Sequence, residues 1–165
     1  MPVHNHIAPF PEGEPVGDLQ EPDLLRRQGP YVPIEVAVST ELARALQEKG
    51  VPLPPSVTGL ALVDTGASVS AVDLRVVQSL GLLQMGYAVV RTPNGEARYD
   101  RYPARFGFPG TDLPEWEFVD AVGCPLSGAR VYGVSGEVIA LLGRDILRRF
   151  VLVYNGTLGH FSLSC

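Results

Sequence analysis

The stretch Leu60-Ala61-Leu62-Val63-Asp64-Thr65-Gly66-Ala67-Ser68 sets an apolar run directly against a carboxylate, a hydroxyl and a glycine. A short apolar run closed by turn residues predicts a buried strand that delivers Asp64 to a turn. Gly66 carries no Cβ, so backbone N–H groups can approach the Asp64 carboxylate closely. Such a carboxylate is costly to bury unless donors reach it. The bare Asp64-Thr65-Gly66 tripeptide also fits an ordinary turn in which an Asp is held by its own backbone.

Outward from this loop, Ser70 and Asp73 have the spacing of a capping box, and Leu74, Val77 and Leu80 share a helical face before Gly81. Tyr87 to Arg91 and Ala97 to Phe106 read as two strands around Thr92, Pro93, Asn94 and Gly95, a combination that reverses the chain. Phe118 to Val122 is a further strand candidate. Val138 to Leu142 is apolar throughout and bounded by Gly136 and Gly143, as a strand buried on both faces should be. A short helix from Arg144 to Phe150 follows, and Asn155-Gly156 predicts a type I′ hairpin joining Val151–Tyr154 to Thr157–Leu163.

Upstream, Val32, Ile34, Val36 and Val38 alternate with other residues at the period of a half-buried strand, with Pro33 biasing it toward an edge. Glu41 to Lys49 predicts a short helix with Leu42, Ala45 and Leu46 on one face and Gly50 ending it. Residues 1–30 hold six prolines, three glycines, five acids and two arginines without apolar periodicity, and predict a flexible arm. The chain therefore divides into a Pro-rich arm, 1–30, and one mostly β domain with short helices, 31–165.

With 165 residues, 45% apolar and a net charge of −5, the sequence suits one globular domain. No apolar stretch approaches the ~20 residues that cross a bilayer, and no signal peptide is expected. Thirteen scattered Lys and Arg form no basic stripe, so nucleic acid is not expected as a partner. Two cysteines, Cys124 and Cys165, give no disulfide framework, which makes a reducing, cytoplasmic setting the default. His4 and His6 lack the further ligands of a metal site, and neither metal nor cofactor is expected.

Two segments together carry a resemblance. Val63-Asp64-Thr65-Gly66-Ala67-Ser68, followed by Ile139-Ala140-Leu141-Leu142-Gly143-Arg144-Asp145-Ile146-Leu147 with a hairpin between, resembles the retroviral-type (retropepsin-like) aspartic proteases over about Tyr31 to Leu163. The resemblance implies a closed β-barrel of the acid-protease fold with one lobe per chain. It implies that the second segment crosses beside the catalytic loop, that Thr92 to Gly95 is the tip of a flap over an extended peptide, and that Glu41 to Lys49 is an insertion.

The chemistry implied is peptide hydrolysis by water activated between two carboxylates that share one proton. This chain holds one Asp-Thr-Gly, so two Asp64 side chains, one per chain of a homodimer, would form the pair. By the same resemblance Thr65 would bond across the twofold axis, Gly66 would leave its backbone open, and Ala67 would follow the retroviral pattern. Ala67 lacks the hydroxyl donor of pepsin-like relatives, which implies mildly acidic rather than strongly acidic activity. Ser68 stands where viral members carry an acid that pairs with the family arginine, leaving Arg144 to find another partner such as Asp73 or Asp145. Gly143 is expected to permit close packing against the loop.

Val89, Val90, Ile139 and Leu141 are the candidate apolar substrate contacts, and Phe10-Pro11 in the arm is a candidate self-cleavage site. The alternative reading is a non-catalytic, dimeric peptide-binding module of the same fold. A phosphoryl-accepting Asp64 is poorly supported, because such sites want a second nearby acid or a Mg²⁺-binding set.

Overall fold

The computed structural model describes residues 2–7, 21–92, 95–126 and 136–165. Chain order is β1 (Val3–Ile7), α1 (Glu21–Gln28), β2 (Tyr31–Val38), α2 (Thr40–Glu48), β3 (Val57–Val63), β4 (Ala71–Asp73) and α3 (Leu74–Ser79). It continues with β5 (Tyr87–Thr92), β6 (Gly95–Gly107), β7 (Trp116–Cys124), β8 (Val138–Leu142), α4 (Arg144–Leu147), β9 (Val151–Asn155) and β10 (His160–Ser164). The fold is mostly β with short helices, as expected.

The large sheet runs β2-β3-β8-β4-β7-β6-β5, and β2 also pairs with β6. That extra pairing, Glu35↔Gly107 to Val38↔Ala104, closes the sheet into a barrel and leaves β5 outside the ring. Val32, Ile34 and Val36 are wholly buried inside it, so the period-two alternation of β2 is a true inward face. Pro33 lies on the half of β2 that pairs with β3 alone. A proline can sit there without breaking a second ladder.

The arrangement that matters for the site is the position of β8. It pairs parallel with β3 and antiparallel with β4, so it is inserted between the two strands that flank the Asp64 loop. Residues on both faces of β8 are buried, which is why 138–142 are apolar without alternation. Phe106, Leu142, Ile146, Phe161 and Leu163 belong to one core cluster that joins the barrel to a second sheet, β1-β10-β9.

Several local expectations are corrected. The segment before residue 31 is not wholly an unstructured arm: β1 pairs with β10 from Val3↔Ser164 to Ile7↔His160, and Leu25 of α1 is 2% exposed within the core. Composition concealed this because ladder pairing uses backbone groups that every sequence has, and a single leucine such as Leu25 carries no periodicity. Phe10-Pro11 lies outside the described residues. Ser70 caps no helix: Asp73 is the N-cap of α3 and accepts from Arg75 N–H at 2.8 Å. In α2 the inward residues are Leu42, Ala43 and Leu46, while Ala45 is exposed. The C-terminal helix stops at Leu147. The last hairpin uses a four-residue connection, 156–159, with Gly159 at φ 62°, in place of a two-residue type I′ turn. There Asn155 Oδ1 accepts from Leu158 N–H at 3.1 Å, so the asparagine caps a wider loop.

Candidate active site

Asp64 follows the last residue of β3, and its backbone N–H donates to Leu142 O of β8 at 3.0 Å. The chain then turns back on the carboxylate. Gly66 N–H donates to Asp64 Oδ1 at 2.9 Å, and Ala67 N–H donates to the same oxygen at 3.2 Å. A Cβ at Gly66 would stand 3.1 Å from Oδ1, so a larger residue would crowd the close approach. Both donors belong to the carboxylate's own turn, so the arrangement fits the backbone-gripped carboxylate and the ordinary Asp turn alike. Among the described residues no donor reaches Oδ2.

The loop is laced to the segment after β8. Gly143 comes so near that a Cβ there would lie 2.6 Å from Val69 C and 2.7 Å from Val69 O. Ser70, wholly buried, donates from Oγ to Asp145 Oδ1 at 2.7 Å and accepts from Gly143 N–H at 3.0 Å. Ser70 N–H donates to Asp145 Oδ2 at 2.9 Å. Both oxygens of the half-buried Asp145 carboxylate and both roles of the buried Ser70 hydroxyl are thereby used. Ser70 was read as a helix cap; its true role depends on a partner 75 residues away, which no local pattern signals.

Arg144 bonds to neither Asp73 nor Asp145. Its Nη1 donates to Thr65 O at 2.7 Å and Gly66 O at 2.9 Å, while its backbone N–H donates to Ala67 O at 3.0 Å. Asp73 instead takes Arg75 Nε at 2.9 Å and Leu126 N–H at 2.9 Å. Burial pushes its carboxyl pKa upward, but the Arg75 side chain, with the Arg75 and Leu126 N–H groups, outweighs it and holds the group below its ordinary 3.8.

Beside the loop lies a cleft of about 550 Å³, lined by Gly66, Ala67, Ser68 and Arg144 together with residues of β5 and β6. In that hairpin Ala88, Val90, Ala97 and Tyr99 are the less exposed residues, whereas Tyr87, Val89, Arg91, Glu96 and Arg98 are exposed. The register Ala88↔Tyr99 and Val90↔Ala97 sets the first group on one face of the hairpin. Tyr99 was not singled out from the sequence; the alternation through Ala97 and Tyr99 was the available signal. Val89, Val90 and Leu141 line the cleft, but Ile139 does not: it is 5% exposed within the core.

Strand pairing extends to Thr92↔Gly95 at the end of the hairpin, and Gly95 adopts φ 115°. Pro93 and Asn94 lie outside the described residues. Cys124 also lines the cleft. Burial first, and then the nearby Asp73 charge, push its thiol above the ordinary 9.0, so it is protonated at neutral pH and no ready nucleophile. Among the described residues no group of three His, Cys, Asp or Glu side chains is placed to hold a metal, and no helix is long and apolar enough to cross a membrane.

The closed barrel and the placing of the 139–147 segment beside the Asp64 loop are arranged as the resemblance implied. No protein-family model matches the sequence, and no curated protein matches it. Among solved structures, the solution structure of simian foamy virus (mac) protease is similar to this chain at 16% identity, covering 72% of this chain and 92% of that one with a TM-score of 0.42. The crystal structure of a retropepsin-like aspartic protease from Rickettsia conorii is similar at 17% identity, covering 98% of this chain and 90% of that one with a TM-score of 0.46. Likenesses this distant leave the chemistry to be argued from the loop itself.

Proposed function

We propose that this chain is one half of a homodimeric aspartic endopeptidase. The observation that carries the reading is the Asp64 carboxylate held through Oδ1 by the N–H groups of Gly66 and Ala67, two residues that line a cleft shared with the β5–β6 hairpin. Anchoring one oxygen leaves the other for a second carboxylate or a water. Two acids near the loop in the described residues are committed elsewhere, Asp73 to Arg75 and Asp145 to Ser70, so neither is free to be the second acid of the pair. A second copy supplies it across a twofold axis.

In the assembled pair one Asp64 carboxylate takes a proton from water as its oxygen attacks the scissile carbonyl, and the other donates its proton to the carbonyl oxygen. Collapse of the tetrahedral intermediate passes a proton to the leaving nitrogen and restores the singly protonated pair. The β5–β6 hairpin closes over an extended peptide and excludes water, with Val90, Leu141 and Tyr99 meeting its side chains. The unpaired cysteines, Cys124 and Cys165, support a reducing, cytoplasmic setting.

The test is digestion of a peptide library at about pH 4 to 7 with wild type and Asp64→Asn, each with pepstatin or EDTA. Cleavage that needs Asp64, falls with pepstatin and ignores EDTA supports the reading. Peptide binding without cleavage under every condition overturns it in favour of a binding module.

A further inference from the structure

The two hydrogen bonds that Asp64 Oδ1 receives and the two that Arg144 donates end on the same two peptide units. The unit joining Thr65 to Gly66 gives its N–H to Asp64 at 2.9 Å and its carbonyl to Arg144 Nη1 at 2.7 Å. The next unit, joining Gly66 to Ala67, gives its N–H to Asp64 at 3.2 Å and its carbonyl to the same Nη1 at 2.9 Å. We infer that Arg144 is a positioning residue for Asp64, acting through two peptide groups whose dipoles it aligns and polarises toward the carboxylate.

The physical reason is that hydrogen bonds in a chain strengthen one another. A cation at a carbonyl oxygen draws electron density toward that end of the amide, so the N–H at the other end becomes a better donor to an anion. Arg144 N–H also donates to Ala67 O, so one residue holds three successive carbonyls of the loop and fixes the planes of the peptides between them. The loop has no acid at Ser68 to hold the guanidinium, and the carbonyls take its place. Arg144 is exposed in the single chain, and solvent screens part of its charge, so the expected effect is about one pH unit rather than several.

This inference rests on the proposed function for its catalytic consequence, but not for its electrostatic one. The experiment therefore has two readouts. Backbone amide resonances of Gly66 and Ala67 are followed by NMR against pH in wild type, Arg144→Met and Arg144→Lys, and kcat and KM are measured in parallel on a cleaved peptide. In Arg144→Met the midpoint at which both amides respond to Asp64 protonation should rise by about one unit, with faster hydrogen exchange at those amides. Peptidase activity should fall roughly 10- to 100-fold, mainly in kcat, with its low-pH limb displaced the same way. Arg144→Lys, which keeps the charge on a shorter stem, should recover part of both.

An unmoved midpoint and wild-type kcat in folded Arg144→Met overturn the inference. Should that variant fail to fold, Arg144→Gln decides on the same midpoint: a rise sustains the inference and an unmoved value overturns it. A raised midpoint in a protein whose wild type cleaves no peptide sustains the electrostatic coupling and removes the protease reading instead.

Discussion

Ser70 and Asp145, 75 residues apart, close on each other through two hydrogen bonds, 2.7 Å from the hydroxyl and 2.9 Å from the backbone N–H. This pair ties the loop that carries Asp64 to the segment that carries Arg144. Ser70→Ala would leave the buried Gly143 N–H without its partner and Asp145 Oδ1 with only the Ile146 N–H at 2.9 Å. The expected loss is about 2–3 kcal/mol of folding stability, read from urea unfolding. An unchanged midpoint would show that water takes over both bonds.

Gly143 has φ −83° and ψ 179°, a conformation open to any residue, so its requirement is space alone. The atoms that a Cβ would meet, Val69 C, Val69 O and Ser70 N, are all backbone and cannot rotate away. Gly143→Ala should cost about 3 kcal/mol or more and disturb the Asp64 loop. Thermal unfolding combined with the Gly66 and Ala67 amide shifts checks both parts.

Much of this was legible beforehand. The alternation of Val32, Ile34, Val36 and Val38, the uniform apolar run at 138–142 and the turn at Asp64 each report a local period, and local periods survive into the fold. What connects them did not show. Arg144 bonds to backbone carbonyls, which every residue possesses, so no spacing pointed to Thr65 O and Gly66 O over Asp73 or Asp145. Ser70 has the same spacing to Asp73 as a capping box, yet the tertiary pairing with Asp145 claims its hydroxyl. The first 30 residues misled because their composition is that of a linker, while β1 pairs with β10 along its backbone and Leu25 of α1 is buried in the core.

Leu25 therefore provides a check on that correction. At 2% exposure it belongs to the main core, and Leu25→Ala should lower stability by about 2–4 kcal/mol. A surface-like effect of a few tenths of a kcal/mol, measured by urea unfolding, would return residues 21–28 to the status of an arm.

Asp73 adds to the acid sensitivity of the fold. Its carboxyl is held below the ordinary 3.8, so it binds its proton less readily when folded than when unfolded. The stability it contributes is present above that ordinary value and is lost as pH falls through the lower, folded one. Mildly acidic solution should leave this contribution intact. Asp73→Asn should be less stable by about 2–4 kcal/mol at neutral pH and should flatten the loss of stability below about pH 4, measured by urea unfolding across pH.

The central claim is that one reaction centre takes Asp64 from two chains, and mixing tests it most directly. Wild-type chain at fixed concentration is unfolded and refolded together with an equal amount of Asp64→Asn, and peptide cleavage is measured. Random pairing would leave about half of the wild-type chains beside an inactive partner, so activity should fall to about one half, and to about one tenth with a ninefold excess of the variant. Activity that stays at its unmixed value whatever the excess would mean that each chain is complete by itself, and would contradict the account.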